Sequence, residues 1–257
     1  MTDLTKFLSE QAVAALLDEV HLTPKPGLVD LRTNGAHSDM SVALFEKSAT
    51  ALRPYFETAA ELGASRENTM PELQDAGLEA EQAMLSATGG VNTHKGAIYA
   101  FGIMISALAS CCALGSEPFS TAAMLAENGK APEGKTHGNV VRLKHRRCGA
   151  RQEALEGFPN ALSAYNVLLE SGSLHRALLW LMASVPDTNL LYRGGIDGLT
   201  FVQEEAKKLL HLPETKLISA MERFDDTLIE KNLSPGGSAD LLALAILLQK
   251  TESIWNP

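Results

Sequence analysis

The chain is expected to fold as an all-α, bundle-like array of many helices, and three observations predict it. Apolar residues recur at helical spacing almost throughout, no alternating or β-branched run is strong enough to mark a strand, and prolines fall between the apolar segments. At 257 residues the chain can bury a substantial core. No regular repeat or low-complexity linker divides it, so residues 1–257 are read as a single domain, with glycine-rich polar loops forming the active site.

In chain order, Leu4, Leu8, Ala12, Leu16 and Val20 recur at i+4, and Phe7 and Leu17 widen the stripe into the face of a first helix. Helices follow over 41–62, 73–88 and 96–114, and Pro54 predicts a kink or break in the first of these. Ala97 to Gly115 carries no charged residue and is as long as a membrane span. Gly102, Ser106, Ser110 and several alanines dilute it, and it stands alone, so it is read as a helix at the centre of the core. Further helices are expected near 159–171, 173–185, 196–211, 214–230 and 238–251, with Pro159, Pro186, Pro213 and Pro235 at the junctions. The polar stretch Glu127 to Gly138, followed by Arg142, Lys144, His145, Arg146, Arg147 and Arg151, breaks the pattern. It reads either as a binding loop or as a solvated basic surface loop.

Bulk properties narrow the function. A net charge of −9 argues against nucleic acid as a partner, so an anionic ligand would need a local basic patch. Three cysteines without metal spacing fit a reducing compartment, and Asp3 and Glu10 at the start do not suit a signal peptide. The expected location is the cytoplasm, with no membrane role.

Polar clusters interrupt the apolar pattern at five places. The richest is Gly89-Gly90-Val91-Asn92-Thr93-His94-Lys95-Gly96, directly before the apolar helix. Backbone N–H groups at a helix start together with a lysine suit phosphate, although the spacing is not that of a Walker A loop. Thr23-Pro24-Lys25-Pro26-Gly27-Leu28-Val29-Asp30 is followed by Asn34-Gly35-Ala36-His37-Ser38-Asp39-Met40; its structural reading is a turn, with Ser38 or Asp39 capping the next helix. Glu79 and Glu81 are two apart on one helix, so at most one faces a site. Asp187-Thr188-Asn189 with Arg193-Gly194-Gly195 offers either a helix cap or a metal carboxylate with a phosphate-binding arginine. Ser234-Pro235-Gly236-Gly237-Ser238-Ala239-Asp240 offers an anion-binding concavity, or a turn capped by Ser238.

Taken together these segments, with Gly149-Ala-Arg-Gln-Glu-Ala154, resemble the triphosphoribosyl-dephospho-CoA synthase family in composition and order. Lys95 and Asp30 look more like its citrate lyase branch than its malonate decarboxylase branch, and Gln152 stands where a glycine is common. The resemblance implies that ATP loses adenine and that its ribosyl C1 is joined to a ribose hydroxyl of 3′-dephospho-CoA. It also implies Mg²⁺ with the triphosphate. The product would be the prosthetic-group precursor of citrate lyase acyl carrier protein, attached by a downstream transfer enzyme. On this reading Asp30, His37, Glu79 and His94 are catalytic candidates, with Glu81 competing for the role of Glu79. Lys25, Asn92, Thr93, Lys95, Arg193, Gly236, Gly237 and Ser238 are substrate-binding candidates. Asp39, Asp187 and Asp240 are metal candidates. Competing readings are the same reaction serving malonate decarboxylase, a Mg²⁺-dependent helical hydrolase of nucleotide or ADP-ribosyl bonds, and a helical partner of a carrier protein. The sequence leaves the oligomeric state open, a homodimer included.

Overall fold

Helix ends explain most of the architecture. In the computed structural model, which describes residues 2–65, 69–130 and 149–256, the chain forms helices and no strand among those residues. Most of the polar stretch expected as a loop, including Arg142 to Arg147, lies outside the described residues. The helices are α1 (Thr2–His21), α2 (Val42–Ala51), α3 (Arg53–Ala64), α4 (Met70–Thr88), α5 (Lys95–Leu114), α6 (Pro118–Asn128) and α7 (Ala150–Leu155). They continue as α8 (Pro159–Ser171), α9 (Leu174–Ser184), α10 (Thr188–Leu210), α11 (Glu214–Glu230), α12 (Gly236–Lys250) and α13 (Glu252–Trp255).

Pro54 breaks the segment 41–62 as expected: Leu52 ends α2 and starts α3, and Pro54 occupies the first turn, where its missing N–H is no loss. Left-handed Gly89 and Gly115 stop α4 and α5. Three expectations need correction. Ser41, not Ser38 or Asp39, stands at the start of α2, and Pro235, not Ser238, at the start of α12. Helix α10 begins at Thr188 instead of 196, because Asp187 caps it and a kink at Gly195 (φ 65, ψ −158) is absorbed within it. Helices α6 and α7 were not expected at all; α6 is started by Glu117, whose carboxylate accepts from the N–H groups of Phe119 and Ser120.

Two helices are buried nearly all round. In α5, Ala97 to Ala109 excludes water except at Tyr99, and in α12 so does Leu241 to Leu248. Each fully buried Leu or Ile contributes roughly 1.5–3 kcal/mol, so these segments anchor the core. The long apolar segment is therefore a core helix, packed on α1, α3, α4, α6, α7 and α12. Helix α3 approaches it closely because residue 63 is glycine: a Cβ there would lie 2.1 Å from the Ser106 carbonyl oxygen. Helix α12 packs on α1 and α5 and also on α8, α9 and α10, which joins early and late parts of the chain in one continuous apolar cluster. Its first turn lies against both the start of α10 and the start of α5.

Candidate active site

The buried polar residues gather where α5, α10 and α12 begin. Asp187 ties two of these starts together. Its Oδ1 accepts from the N–H groups of Asn189 (2.8 Å) and Leu190 (3.3 Å), and its Oδ2 accepts from the Ser238 N–H (2.8 Å) and hydroxyl (3.2 Å). Glycine makes the approach fit: a Cβ at Gly236 would lie 2.6 Å from Asn189 Nδ2, and one at Gly237 3.1 Å from Asp187 Oδ2. A carboxylate belonging to the chain thus already satisfies the helix ends at Thr188 and Gly236. This favours the capping reading of Asp187 and leaves Ser238 with its donors engaged.

Lys25 is buried at 1% exposure, and its Nζ lies 2.5 Å from Glu19 Oε1 on α1. Burial pushes the Glu19 carboxyl up, against the opposing pull of Lys25. Asp30 organises the loop around this pair: Oδ2 accepts from the Lys25 N–H (2.7 Å), and Oδ1 from the N–H groups of Arg32 (2.7 Å) and Thr33 (2.8 Å). Fully buried Asp225 holds the same loop from α11 through the Gly27 N–H, Arg32 and Thr33. Neither Lys25 nor Asp30 presents an open group to a ligand here. A shallow groove of about 460 Å³ runs past Asp30 to Asn34 and Ser41 to Ala43, but it includes none of Lys25, His94, Lys95 or Asp240. Those four residues lie around the start of α5 instead, where Lys25 acts electrostatically on His94 and Asp240 stands against Gly96.

The start of α5 is different. Asn92 is exposed, and its Oδ1 accepts from the Lys95 N–H at 3.2 Å. Thr93 Oγ1 donates to Ser48 Oγ (2.8 Å), and Ser48 Oγ is 2.6 Å from Nδ1 of buried His94. Burial, with a smaller repulsion from Lys25, lowers the His94 pKa to about 3, so this imidazole is neutral at physiological pH. Lys95 is half-exposed and pairs with Glu81 Oε2 at 2.5 Å. Glu79 is exposed. The inward position of the two glutamates therefore belongs to Glu81, which corrects the placement given to Glu79 and agrees with only one of the pair facing inward.

Asp240, one turn into α12, faces the first turn of α5: a Cβ at Gly96 would fall 2.0 Å from its Oδ2. It takes no hydrogen bond from any described residue. Burial, then Glu19 and Asp187, hold its carboxyl well above the usual range. Asp39 stands apart and exposed, close enough to act electrostatically on His37 and Arg193. Arg193 donates to the Ala36 carbonyl (2.7 Å), Asn232 Oδ1 (2.8 Å) and His37 Nδ1 (3.2 Å), and His37 Nε2 is 2.9 Å from Ser234 Oγ. These contacts clamp the 36–37 loop to the 232–234 turn. The metal candidates Asp39, Asp187 and Asp240 do not converge, and among the described residues no three His, Cys, Asp or Glu side chains are placed to share a cation.

Residues that the sequence reading passed over complete the cluster. Glu19 lies on the apolar face of α1, three residues after Leu16, and a charge on that face was the available signal. Ser48 and Asp225 lie inside helices and carry no sequence signal of their own.

The start of α5 in this helical fold thus combines a half-exposed lysine, a neutral histidine and a carboxylate that takes no hydrogen bond from any described residue, the equipment of an enzyme acting on a charged small molecule. The chain belongs to the ATP:dephospho-CoA triphosphoribosyl transferase family, whose signature matches residues 5–257. It is 42% identical to the 2-(5′′-triphosphoribosyl)-3′-dephosphocoenzyme-A synthase of Pectobacterium atrosepticum, over 94% of this chain and 88% of that one. It is 40% identical to the enzyme of the same name from Haemophilus ducreyi, over 93% of this chain and 86% of that one. A crystal structure described as a triphosphoribosyl-dephospho-CoA synthase from Archaeoglobus fulgidus matches the fold with a TM-score of 0.52 at 18% identity, over 78% of this chain and 95% of that one. The chain is a transferase of this family.

Proposed function

We propose that the chain transfers the triphosphoribosyl part of ATP to a ribose hydroxyl of 3′-dephospho-CoA, with release of adenine, at the junction of α5 and α12. The observation that carries this siting is Asp240, a half-buried carboxylate that takes no hydrogen bond from any described residue, against the Gly96 end of α5, with His94 and Lys95 alongside. The α5 N-terminus and Lys95 suit the triphosphate. Lys95 would exchange Glu81 for phosphate on binding, which leaves Glu81 to accept the proton of the attacking hydroxyl. The acceptor oxygen bonds to ribosyl C1 as the C1–N9 bond breaks, and adenine departs with the bonding pair and gains a proton. His94, neutral, acts as a hydrogen-bond donor in this scheme.

The donor set fits Mg²⁺ that arrives with the triphosphate and does not fit a resident ion. Asp240 has no hydrogen-bond partner among the described residues, and one or two carboxylates plus substrate phosphates are the usual holders of this cation. When bound, it would offset triphosphate charge, with Asp240 as ligand and Glu19 behind it. Asp187 is not proposed as a ligand, because both its oxygens already accept hydrogen bonds. Lys95 and Asp30 support service to citrate lyase acyl carrier protein, through a downstream transfer enzyme in the cytoplasm.

The test is chromatography and intact-mass analysis of purified protein with ATP, Mg²⁺ and dephospho-CoA. Adenine and the joined product should appear together and only with the acceptor present. Adenine release without acceptor would instead mark a hydrolase.

A further inference from the structure

Serine and threonine inside a helix usually return their hydroxyl hydrogen bond to the carbonyl one turn back. Thr50, Thr58, Ser163 and Thr227 do so here. Ser48, fully buried on α2, makes no such bond among the described residues; its hydroxyl reaches across to the residue that starts α5. A buried hydroxyl left unpaired is costly, and both neighbours that satisfy this one belong to the loop before α5. Thr93 Oγ1–H donates to Ser48 Oγ at 2.8 Å, which leaves the single Ser48 proton for His94 Nδ1 at 2.6 Å. The ring is packed edge-on against Phe45, with centroids 5.0 Å apart, so it has little freedom to turn away. With Nδ1 as acceptor, a neutral imidazole carries its hydrogen on Nε2, and Nε2 has no partner among the described residues.

We propose that Ser48, oriented by Thr93, is a positioning residue that fixes His94 as the Nε2–H tautomer, a neutral donor for an acceptor atom of the bound substrate. The role assigned to Thr93 changes with it: its hydroxyl serves the imidazole and not the ligand. The proposal rests on the siting of the transfer reaction at α5 for its catalytic consequence, and on the hydrogen-bond chain alone for the tautomer. A fixed tautomer matters because the wrong one turns a donor into an acceptor, as in serine-protease triads.

The test combines ¹⁵N spectra of histidine-labelled protein with steady-state kinetics of wild type, Ser48→Ala, Ser48→Thr and His94→Gln. Alanine suits a helix interior, so Ser48→Ala should fold normally. The wild-type His94 ring should show hydrogen on Nε2, and Ser48→Ala should mix the two tautomers. Turnover should fall roughly 10–100-fold in Ser48→Ala while KM for ATP changes less than about twofold, a loss of the size expected for a misoriented group. Ser48→Thr should recover most of it. In the His94→Gln background, Ser48→Ala should have almost no added effect, since no imidazole remains to orient. A wild-type ring protonated on Nδ1, or an unchanged turnover in Ser48→Ala, would overturn the proposal. The ring spectra need no turnover, so inactivity toward ATP and dephospho-CoA would sink the reaction assignment while the spectra still decide the tautomer.

Discussion

Burial of the His94 imidazole makes the stability of the fold depend on pH. Its pKa falls from 6.5 in the unfolded chain to about 3 in the fold, so between those values the unfolded chain binds more protons. The sign follows directly: this contribution to stability is complete above about pH 6.5 and is lost as the pH falls toward 3. Urea unfolding across that range should show a steeper acid loss for wild type than for His94→Gln, which cannot take up the proton. Parallel curves would mean that the ring is not buried neutral. The glutamates separate in the same way. Glu81→Gln, beside Lys95, should reduce turnover by roughly 10²–10⁴ if it is the base, whereas exposed Glu79→Gln should stay near wild type; equal kinetics for the two would remove Glu81 from the step. Both glutamates and His94 were visible in the sequence because they flank a glycine-rich turn. Glu19 and Ser48 were not, because spacing alone does not say which buried polar group finds a partner 6 or 46 residues away.

Between elements, glycine decides how close two helices come, and two positions divide structure from chemistry. At Gly63 an added Cβ would meet the Ser106 backbone, which cannot yield without moving α5. Gly63→Ala should therefore cost about 1–3 kcal/mol or more in denaturant unfolding. At Gly96 the same Cβ would meet only the tip of Asp240. Gly96→Ala should displace that carboxylate, with a large loss of turnover and a smaller loss of stability. The reverse ranking in stability would contradict the packing described for α3 and α5. Most helices were legible from periodicity and proline. The exceptions have physical causes: α6 and α7 are short and flank the polar stretch that hid their pattern, and the start of α10 depends on a cap whose second bond comes from Ser238, 51 residues on.

Across the whole molecule, a chain of net charge −9 keeps its cations local. Lys25 is neutralised by Glu19, Lys95 by Glu81, and Arg32 by Asp225 and Asp226, so an anionic substrate that reaches Lys95 must displace Glu81. Lys95, half-exposed, is the one of these three lysine and arginine side chains that stands at a helix start. The fold class and the family were legible in the order of the polar segments. Their division of labour was not, because Asp30, Asp187 and Ser238 look like site residues in sequence and in space hold the loops and helix starts that frame Asp240. The most direct measurement is a crystal structure of the protein with Mg²⁺ and a slowly reacting ATP analogue. Phosphate oxygens should lie at the α5 start within reach of Lys95, with Asp240 turned toward the cation. Phosphates bound at Gly236 to Ser238, or in the groove past Asp30 to Asn34, would contradict that siting.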